Sequence, residues 1–283
     1  MKNFFYLMLA ACICAVSIHS LEAQVQAPSP SPTATLKQEV GLTDIEITYS
    51  RPGVKDRTIF GELVPYDQFW RTGANATTKV SFSDDVMIGG KKLEKGTYSL
   101  FTYPGKDEWT VIFSNSMSLP GADGYDKSND AVRIQVKPED HPTKLETFTI
   151  DVNNIRNNTA TIDLVWENTI VSIPVSFNTD EKVFASIDKV MNGPTGNDYY
   201  AASGYYLSAG KDLEQAHKWA TKAVEMTDAK FPWIIYNKAQ IEAELGNKEE
   251  AVKTAKQAIT AAKAMNNDHY VMLNEKLIKE LEM

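Results

Sequence analysis

Residues 147–152 read Thr-Phe-Thr-Ile-Asp-Val, and this stretch decides the fold of the first half of the chain. Apolar Phe148, Ile150 and Val152 alternate with polar neighbours, and on a β-strand every second side chain lies on the same face. One face of such a strand packs on a core while the other meets water. The stretch therefore predicts a sheet that is covered on one side.

The same alternation recurs from residue 44 to residue 177, in short runs separated by Gly, Pro, Asn and Asp. The other runs are Ile45–Tyr49, Val80–Phe82, Tyr98–Leu100, Trp109–Phe113, Val132–Val136, Thr161–Trp166 and Ile170–Phe177. Between two further runs, Gly89-Gly90 predicts a tight hairpin, because glycine tolerates positive φ. About eight or nine strands without intervening helices predict a β-sandwich or an open barrel.

Beyond Thr179 the apolar residues recur every three or four positions, which predicts helices. A first short helix ends before Asn192-Gly193-Pro194. Two later stripes are rich in alanine, which indicates helices packed closely through small side chains. The stripes comprise Ala216, Trp219, Ala220, Ala223 and Val224, then Ala251, Ala255, Ala258, Ile259 and Ala262.

The two stripes align with each other at an offset of about 35 residues, near the period of tetratricopeptide repeats. Gly210 aligns with Gly246, and Ala216 with Ala251. The segment resembles tetratricopeptide repeats, although the first unit carries an extra residue after Gly210. A last apolar stripe, Tyr270 to Leu281, predicts a helix that caps the open end.

We therefore expect a mainly β plus α protein: a β-sandwich (or open barrel) followed by a short tetratricopeptide-like helical repeat segment. The expected divisions are a signal peptide at 1–23, a Pro/Ser-rich tether at 24–35, a β domain at 36–178, a linker with a short helix at 179–196, and the helical segment at 197–283.

The amino terminus has the order of a secretory signal peptide: Lys2, an apolar run to Val16, and Leu21-Glu22-Ala23. Cleavage after Ala23 predicts a periplasmic or secreted protein with no transmembrane helix in the mature chain. Lipoprotein anchoring through Cys12 is the less favoured alternative, because the apolar stretch continues beyond that residue. Both cysteines lie inside the signal, which excludes thiol chemistry from the mature chain.

Several classes of function find no support in the sequence. The formal net charge of -8 makes nucleic acid an unfavourable partner. The histidines expected in the mature chain are far apart, so no metal site is assigned. Nucleotide-binding and nucleophile-elbow motifs are missing, so neither a cofactor nor a catalytic residue is expected. Asp123, Asp126, Asn129 and Asp130 offer oxygen atoms to calcium, but their spacing favours an ordinary polar loop.

The candidate binding site lies in a long connection between two predicted strands, residues 51–75. Long loops in compact domains often carry function. Guanidinium groups here suit carboxylate, sulfate or sugar hydroxyls, with an aromatic side chain as a platform. The candidate ligand-binding residues are Arg51, Arg57, Tyr66, Trp70, Arg71 and Asn75. In the structural alternative, the arginines pair with Asp56, Glu62 and Asp67, while Phe60, Phe69 and Trp70 close one end of the sandwich.

The motifs Ser50-Arg51-Pro52, Arg57-Thr58-Ile59-Phe60-Gly61, Trp70-Arg71-Thr72-Gly73-Ala74-Asn75 and Gly96-Thr97-Tyr98-Ser99-Leu100-Phe101 resemble a family catalogued as domain of unknown function 2911. The resemblance spans residues 36–177. It implies an exported β-rich domain of Bacteroidetes, often followed by helical repeats, and it supplies no reaction. In that family the loop near residues 120–126 is usually richer in Trp and Tyr than here.

The leading functional hypothesis is a non-catalytic binding module of the cell envelope. The β domain would hold a small polar or glycan-like ligand, and the helical segment a peptide or protein partner. Two alternatives stay open. One is a hydrolase of envelope or nutrient material that uses Arg57, Arg71 and an acid such as Glu62; the other is a purely structural envelope component.

Overall fold

The computed structural model describes residues 27–117, 124–191 and 193–283, which form ten β-strands followed by six α-helices. The predicted signal peptide lies outside these residues. The strands are β1 Thr33–Val40, β2 Thr43–Ser50, β3 Lys79–Phe82, β4 Val86–Ile88, β5 Lys91–Leu93, β6 Gly96–Tyr103, β7 Trp109–Ser114, β8 Asp130–Val136, β9 Glu139–Asn153 and β10 Thr159–Phe177. The helices are α1 Thr179–Val190, α2 Gly196–Ser208, α3 Leu213–Met226, α4 Pro232–Glu244, α5 Lys248–Ala264 and α6 Asp268–Leu281.

Two antiparallel sheets pack face to face. The six-stranded sheet has the order β1-β2-β3-β6-β7-β8, and the four-stranded sheet has the order β5-β4-β10-β9. Alternate side chains from both sheets fill the space between them, including the buried Ile47, Leu100 and Ile162. The sheets do not close into a barrel. The predicted β-sandwich, followed by helices, is thus confirmed.

Local turn chemistry explains two features of the four-stranded sheet. Gly89 and Gly90 have φ of 55° and 79° and join β4 to β5, as the predicted hairpin requires. β10 reverses direction part-way along its length. The evidence is that the Phe177 amide, at the end of the strand, donates to the carbonyl of Asn158, just before its start, at 2.8 Å. The positive φ of Glu167 and the register shifts beside it mark the reversal.

β1 begins at Thr33, so the last residues of the predicted tether belong to the first strand. β1 is an edge strand that pairs only with β2 within its sheet. Most of its side chains are exposed or half-buried, so its apolar signal is weak. β5 was expected as one arm of the Gly89-Gly90 hairpin, whereas β1 has no counterpart among the predicted runs.

Helices α2 to α6 pack one against the next in chain order. The alanine stripes predicted from the sequence form the contacts, because methyl side chains let helix axes approach closely. Three alanines of α3 and four of α5 are fully buried: Ala216, Ala220, Ala223, Ala251, Ala255, Ala258 and Ala262. None of the helices in the described ranges is long and apolar enough to cross a membrane.

Polar contacts join the helices to the sandwich at α1. Lys182 pairs with Asp84 at 2.5 Å, and the amide of Asp180 donates to the side-chain oxygen of Asn158 at 3.2 Å. The Tyr205 hydroxyl in turn donates to Asp180, which links α2 to the same junction. α1 therefore fixes the start of the helical segment against the end of the sandwich.

Candidate ligand-binding site

The connection between β2 and β3, residues 51–78, folds across one end of the sandwich. Two antiparallel bridges hold it there, one between Gly53 and Thr147 and one between Trp70 and Thr102. The backbone amide of Trp70 donates to the Thr102 carbonyl at 2.8 Å, and the reciprocal bond measures 2.9 Å. The loop is thus tied to β6 and β9, which places its side chains at fixed positions.

Backbone strain marks the same loop. Thr72 has a φ of 53°, which is unusual for a β-branched residue and costs on the order of 1–3 kcal/mol. Its hydroxyl lies 3.1 Å from that of Thr102, and its carbonyl accepts a 2.6 Å hydrogen bond from Thr78. Thr72 is fully buried. The surrounding contacts therefore hold the backbone beside Arg71 in a single conformation.

Beneath the loop, five aromatic side chains close the end of the sandwich; this aromatic plug comprises Phe60, Trp70, Trp109, Phe148 and Trp166. Trp70 stacks on Trp166 with ring centroids 6.1 Å apart, and Phe60 meets Trp109 edge-on at 5.1 Å. The Trp70 indole N–H donates to the Gly73 carbonyl at 2.9 Å. The plug supplies a rigid apolar floor for whatever lies above it.

Above the plug lies a cavity of about 490 Å³, here called the arginine pocket. Its lining includes four of the sequence-predicted residues: Arg57, Trp70, Arg71 and Asn75. The remaining lining residues are Ser31, Pro52, Leu63, Val64, Gly73, Ala74 and Trp166. The cavity falls within the size range of small-molecule sites and combines an apolar floor with a cationic rim.

Neither guanidinium group of the arginine pocket pairs with a carboxylate among the described residues. Arg57 donates from Nε to the Val54 carbonyl at 3.0 Å and from Nη2 to the Gly53 carbonyl at 2.6 Å. Arg71 donates from Nη1 to the Asn75 carbonyl at 2.6 Å. Carbonyl oxygens orient a guanidinium without neutralising it, so both positive charges remain uncompensated at the pocket.

The alternative ion pairs with Asp56, Glu62 and Asp67 are therefore wrong for the described residues. These three acids lie on the exposed side of the loop. Asp56 and Asp67 have φ of 57° and 59°, which turns the chain there. None of these three acids lines the arginine pocket, so its arginines have no acidic neighbour in the described lining.

Two predicted residues lie outside the arginine pocket. Arg51 donates from Nε to the Phe148 carbonyl at 3.1 Å and from Nη2 to the Thr149 hydroxyl at 2.8 Å, so it fastens the loop to β9. Tyr66 lines a separate cleft of about 210 Å³, with the Lys106 ammonium 5.5 Å from its ring centroid. Arg51 is structural in this arrangement, and Tyr66 does not join the other candidates.

Phe69 is also separate from the aromatic plug that the structural alternative assigned to it. It packs on the outer face of the six-stranded sheet, 4.8 Å from the rings of both Phe101 and Tyr125. The Tyr125 hydroxyl donates to Asp130 there, and its burial together with that carboxylate raises the pKa of the phenol. Phe60 and Trp70 do close the sandwich as that alternative expected.

The polar loop weighed as a calcium site is only partly described, since Asp123 lies outside the described residues. Asp126 caps the short 3-10 helix Lys127–Asn129 through the amide of Ser128. Asp130 accepts hydrogen bonds from Tyr125 and pairs with Arg133 at 2.9 Å. Protein donors thus occupy these carboxylates, and the described residues contain no cluster of three metal-ligating side chains.

Sequence reasoning named four of the lining residues and missed the other seven, among them Ser31, Leu63 and Trp166. Trp166 belongs to β10, nearly one hundred positions beyond the loop, and reaches the pocket only because the two sheets meet. Ser31 was assigned to the tether, where a proline-rich composition gave no sign of contact. Leu63 is 44% exposed, and the sequence alone gives no sign of that exposure.

Residues 31–175 match the model of the family described as Protein of unknown function (DUF2911), slightly more than half of the chain. The chain belongs to this family. The DUF2911 match includes every residue that lines the arginine pocket, and it ends before α1. No curated protein and no solved structure matches the chain.

Proposed function

We propose that the β domain is a non-catalytic binding module that holds a small organic anion in the arginine pocket. One observation carries the proposal: two arginines line a single cavity, and neither has a carboxylate partner among the described residues. An uncompensated guanidinium attracts anions, and its planar fork fits a carboxylate or sulfate. The strained and tightly bonded backbone at Thr72 holds one of the two forks in place.

The ligand class follows from what the lining leaves available. Nε and Nη2 of Arg71 and Nη1 of Arg57 have no hydrogen-bond partner among the described residues, so three N–H-bearing atoms remain for a ligand. Trp70 is half-buried and Leu63 is exposed, which provides apolar surface beside the charges. A carboxylate attached to a sugar ring, such as a uronic acid, satisfies both features, because sugar faces stack on aromatic and aliphatic side chains.

The geometry favours binding over hydrolysis. The described lining of the pocket contains neither Asp, Glu nor His, whereas hydrolysis of a glycoside requires two carboxylates. Glu62, the acid considered for this role, is exposed and does not line the cavity. A purely structural role fits Arg51, which does not line the cavity, but it leaves the position of Arg57 and Arg71 at the cavity without a purpose.

Titration calorimetry with D-glucuronate as the probe tests the proposal, with neutral D-glucose as the comparison. Arg71→Ala and Arg57→Ala should each weaken glucuronate binding by about tenfold or more, since each removes a charge-assisted contact. Arg156→Ala is the matched control, because Arg156 also donates to a backbone carbonyl but lies in the β9–β10 turn. The proposal would be contradicted if the wild type and all three variants bound glucuronate equally well. It would also be contradicted if the wild type bound glucose as tightly as glucuronate.

We propose further that α2/α3 and α4/α5 are tetratricopeptide-like units capped by α6. Gly210 and Gly246 have φ of 61° and 80° and follow α2 and α4 at equivalent positions, which supports the repeat. A groove of about 490 Å³ runs between α2, α4 and α6, lined by half-buried leucines and Tyr236. We propose that it binds a peptide.

A random peptide library displayed on phage tests the groove. Selection on the wild-type protein should enrich peptides that no longer bind after Leu277→Lys, which places a charge in the lining. Lys253→Ala, on the exposed face of α5, is the control and should retain binding. Enrichment that is insensitive to Leu277→Lys, or no enrichment at all, would refute the peptide site.

We propose export from the cytoplasm on the basis of residues 1–23 alone. Expression of the full chain, followed by cell fractionation and amino-terminal sequencing, tests it. The expected product begins at Gln24 and lies outside the cytoplasm. An unprocessed cytoplasmic chain, or a chain lipidated at Cys12, would overturn cleavage after Ala23.

A further inference from the structure

The segment 27–32, here called the strap, lies along the rim of the arginine pocket. It contains three prolines, which fix φ and donate no backbone hydrogen bond, so it contacts the domain through its carbonyl oxygens. The Pro30 carbonyl accepts from the Lys55 ammonium at 3.3 Å, and the Ser31 carbonyl accepts from the Asn75 side-chain amide at 3.0 Å. Ser31 also lines the pocket itself.

Pairing within the sheet does not account for these two contacts. The bond from the Arg51 amide to the Pro32 carbonyl, at 2.9 Å, continues the ladder in which Thr33 faces Ser50. The bonds to Pro30 and Ser31 lie beyond that ladder, and side chains of the site loop make them. The strap is therefore held by the loop that carries the two arginines.

Asn75 contacts both the strap and an arginine of the pocket. Its side-chain amide donates to Ser31, and its carbonyl accepts from Nη1 of Arg71 at 2.6 Å. Asn75 adopts a φ of 55°, a conformation that Asn tolerates better than most residues. A single residue thus holds both the strap and the Arg71 guanidinium through hydrogen bonds.

We infer that the strap is a wall of the binding site and that Asn75 is the positioning residue that couples it to Arg71. This inference rests on the proposed function of the pocket. Since coupling between two equilibria is reciprocal, a docked strap strengthens anion binding, and a bound anion holds the strap down. Ligand occupancy is thereby transmitted to the amino-terminal end of the domain.

Asn75→Gly separates the two contacts of this residue. Glycine keeps the left-handed backbone and the carbonyl that orients Arg71, but it lacks the amide that holds Ser31. The matched control is Asn154→Gly. Asn154 has a φ of 52°, and its side chain donates to the Thr161 hydroxyl at 3.1 Å, away from the pocket.

Two measurements read the outcome in the full chain. The first measurement is made without ligand in a protein whose Cys12 and Cys14 are replaced by serine. In this background Ser31→Cys provides a single half-buried thiol, and its alkylation rate reports how often the strap opens. Asn75→Gly should raise this rate several-fold. In the second, with Ser31 restored, Asn75→Gly should weaken D-glucuronate binding about three- to tenfold, the effect of one hydrogen bond. Asn154→Gly should change neither quantity.

The possible failures can be told apart. Unchanged alkylation in Asn75→Gly overturns the role of Asn75 in holding the strap, with or without a ligand. Faster alkylation with unchanged glucuronate affinity shows that the strap is not part of the site, which also overturns the inference. If Arg71→Ala leaves glucuronate binding intact, the proposed function fails instead, and with it the coupling.

Discussion

Charges in the two halves of the molecule are arranged in opposite ways. In the helical half, the carboxylate of Glu242 is buried and is shared by the Lys238 ammonium and by His217 Nε2 at 3.2 Å. In the β half, Arg57 and Arg71 lie at an open cavity and meet only carbonyl oxygens of the described chain. The first arrangement is neutralised within the fold, whereas the second is not.

The difference distinguishes structural charges from functional ones. A buried carboxylate is costly unless ion pairs and hydrogen bonds compensate it, so Glu242 ties α3, α4 and α5 together. Arg57 and Arg71 are oriented but not neutralised, which leaves their charge available to a ligand. Substitutions in the helical half should therefore change stability, and those at the pocket should change binding.

The largest expected effect on stability belongs to Glu242. Glu242→Ala should lower the free energy of unfolding of the helical half by about 3 kcal/mol, because Lys238 loses its partner in a mostly buried position. Urea unfolding followed by helical circular dichroism measures it. Glu225→Ala is the control, since its pair with Lys222 is exposed, and should change stability by less than about 1 kcal/mol. If both variants lost a similar free energy of unfolding, burial of the Glu242 ion pair would not account for the stability of the helical half.

Arg51 offers a second contrast with the pocket arginines. It lies in the same loop, but its hydrogen bonds go to β9 and it does not line the pocket. Arg51→Ala should destabilise the β domain by about 2 kcal/mol, through loss of two hydrogen bonds to β9. Thermal unfolding measures the loss, with the exposed Arg156→Ala as control. Retained stability together with lost glucuronate binding would place Arg51 in the binding site instead.

The sequence predicted those parts of the fold that depend on local periodicity. Alternation indicates the strands through residues such as Phe148 and Ile150, and the alanine stripes indicate α3 and α5. Periodicity did not predict the edge strand β1, because a strand with little buried surface has a weak apolar pattern. The two halves of β10 were predicted as separate runs, Thr161–Trp166 and Ile170–Phe177, which end on either side of Glu167 although no Gly or Pro marks the turn there.

The candidate site was only partly predictable, for a different reason. Arg57, Trp70 and Arg71 are close in sequence, so proximity alone grouped them. Side-chain direction in an irregular loop follows no period, which is why Arg51 turns toward β9 and Tyr66 toward another cleft. Ser31 and Trp166 reach the pocket through tertiary packing, which no local pattern encodes.

Acid should affect the helical half through Glu242. Burial raises the pKa of this carboxyl, but hydrogen bonds from Lys238, Thr254 and His217 outweigh burial and hold the pKa below its usual range. The resulting stability is present above the unfolded pKa of about 4.3 and is lost as the pH falls through the lower folded pKa. Urea unfolding across this acid range should show a steeper decline in the wild-type protein than in Glu242→Gln. An equal decline in both proteins would contradict it.

The smallest expected effect on stability lies at the pocket. Arg57→Ala and Arg71→Ala should each change the free energy of unfolding by less than about 1 kcal/mol, because their partners are carbonyls with access to water. Thermal unfolding of the two variants beside Arg51→Ala checks this. If either variant lost as much free energy of unfolding as Arg51→Ala, the pocket arginines would be structural, and the distinction between structural and functional charges would fail.

The most direct test of the account is nuclear magnetic resonance of the arginine side-chain Nε–Hε groups during titration with D-glucuronate. The account predicts that the signals of Arg57 and Arg71 move with a common saturation curve, while those of Arg51 and Arg156 stay in place. Movement of Arg51 or Arg156 alone, or no movement of any arginine signal at saturating glucuronate, would contradict it.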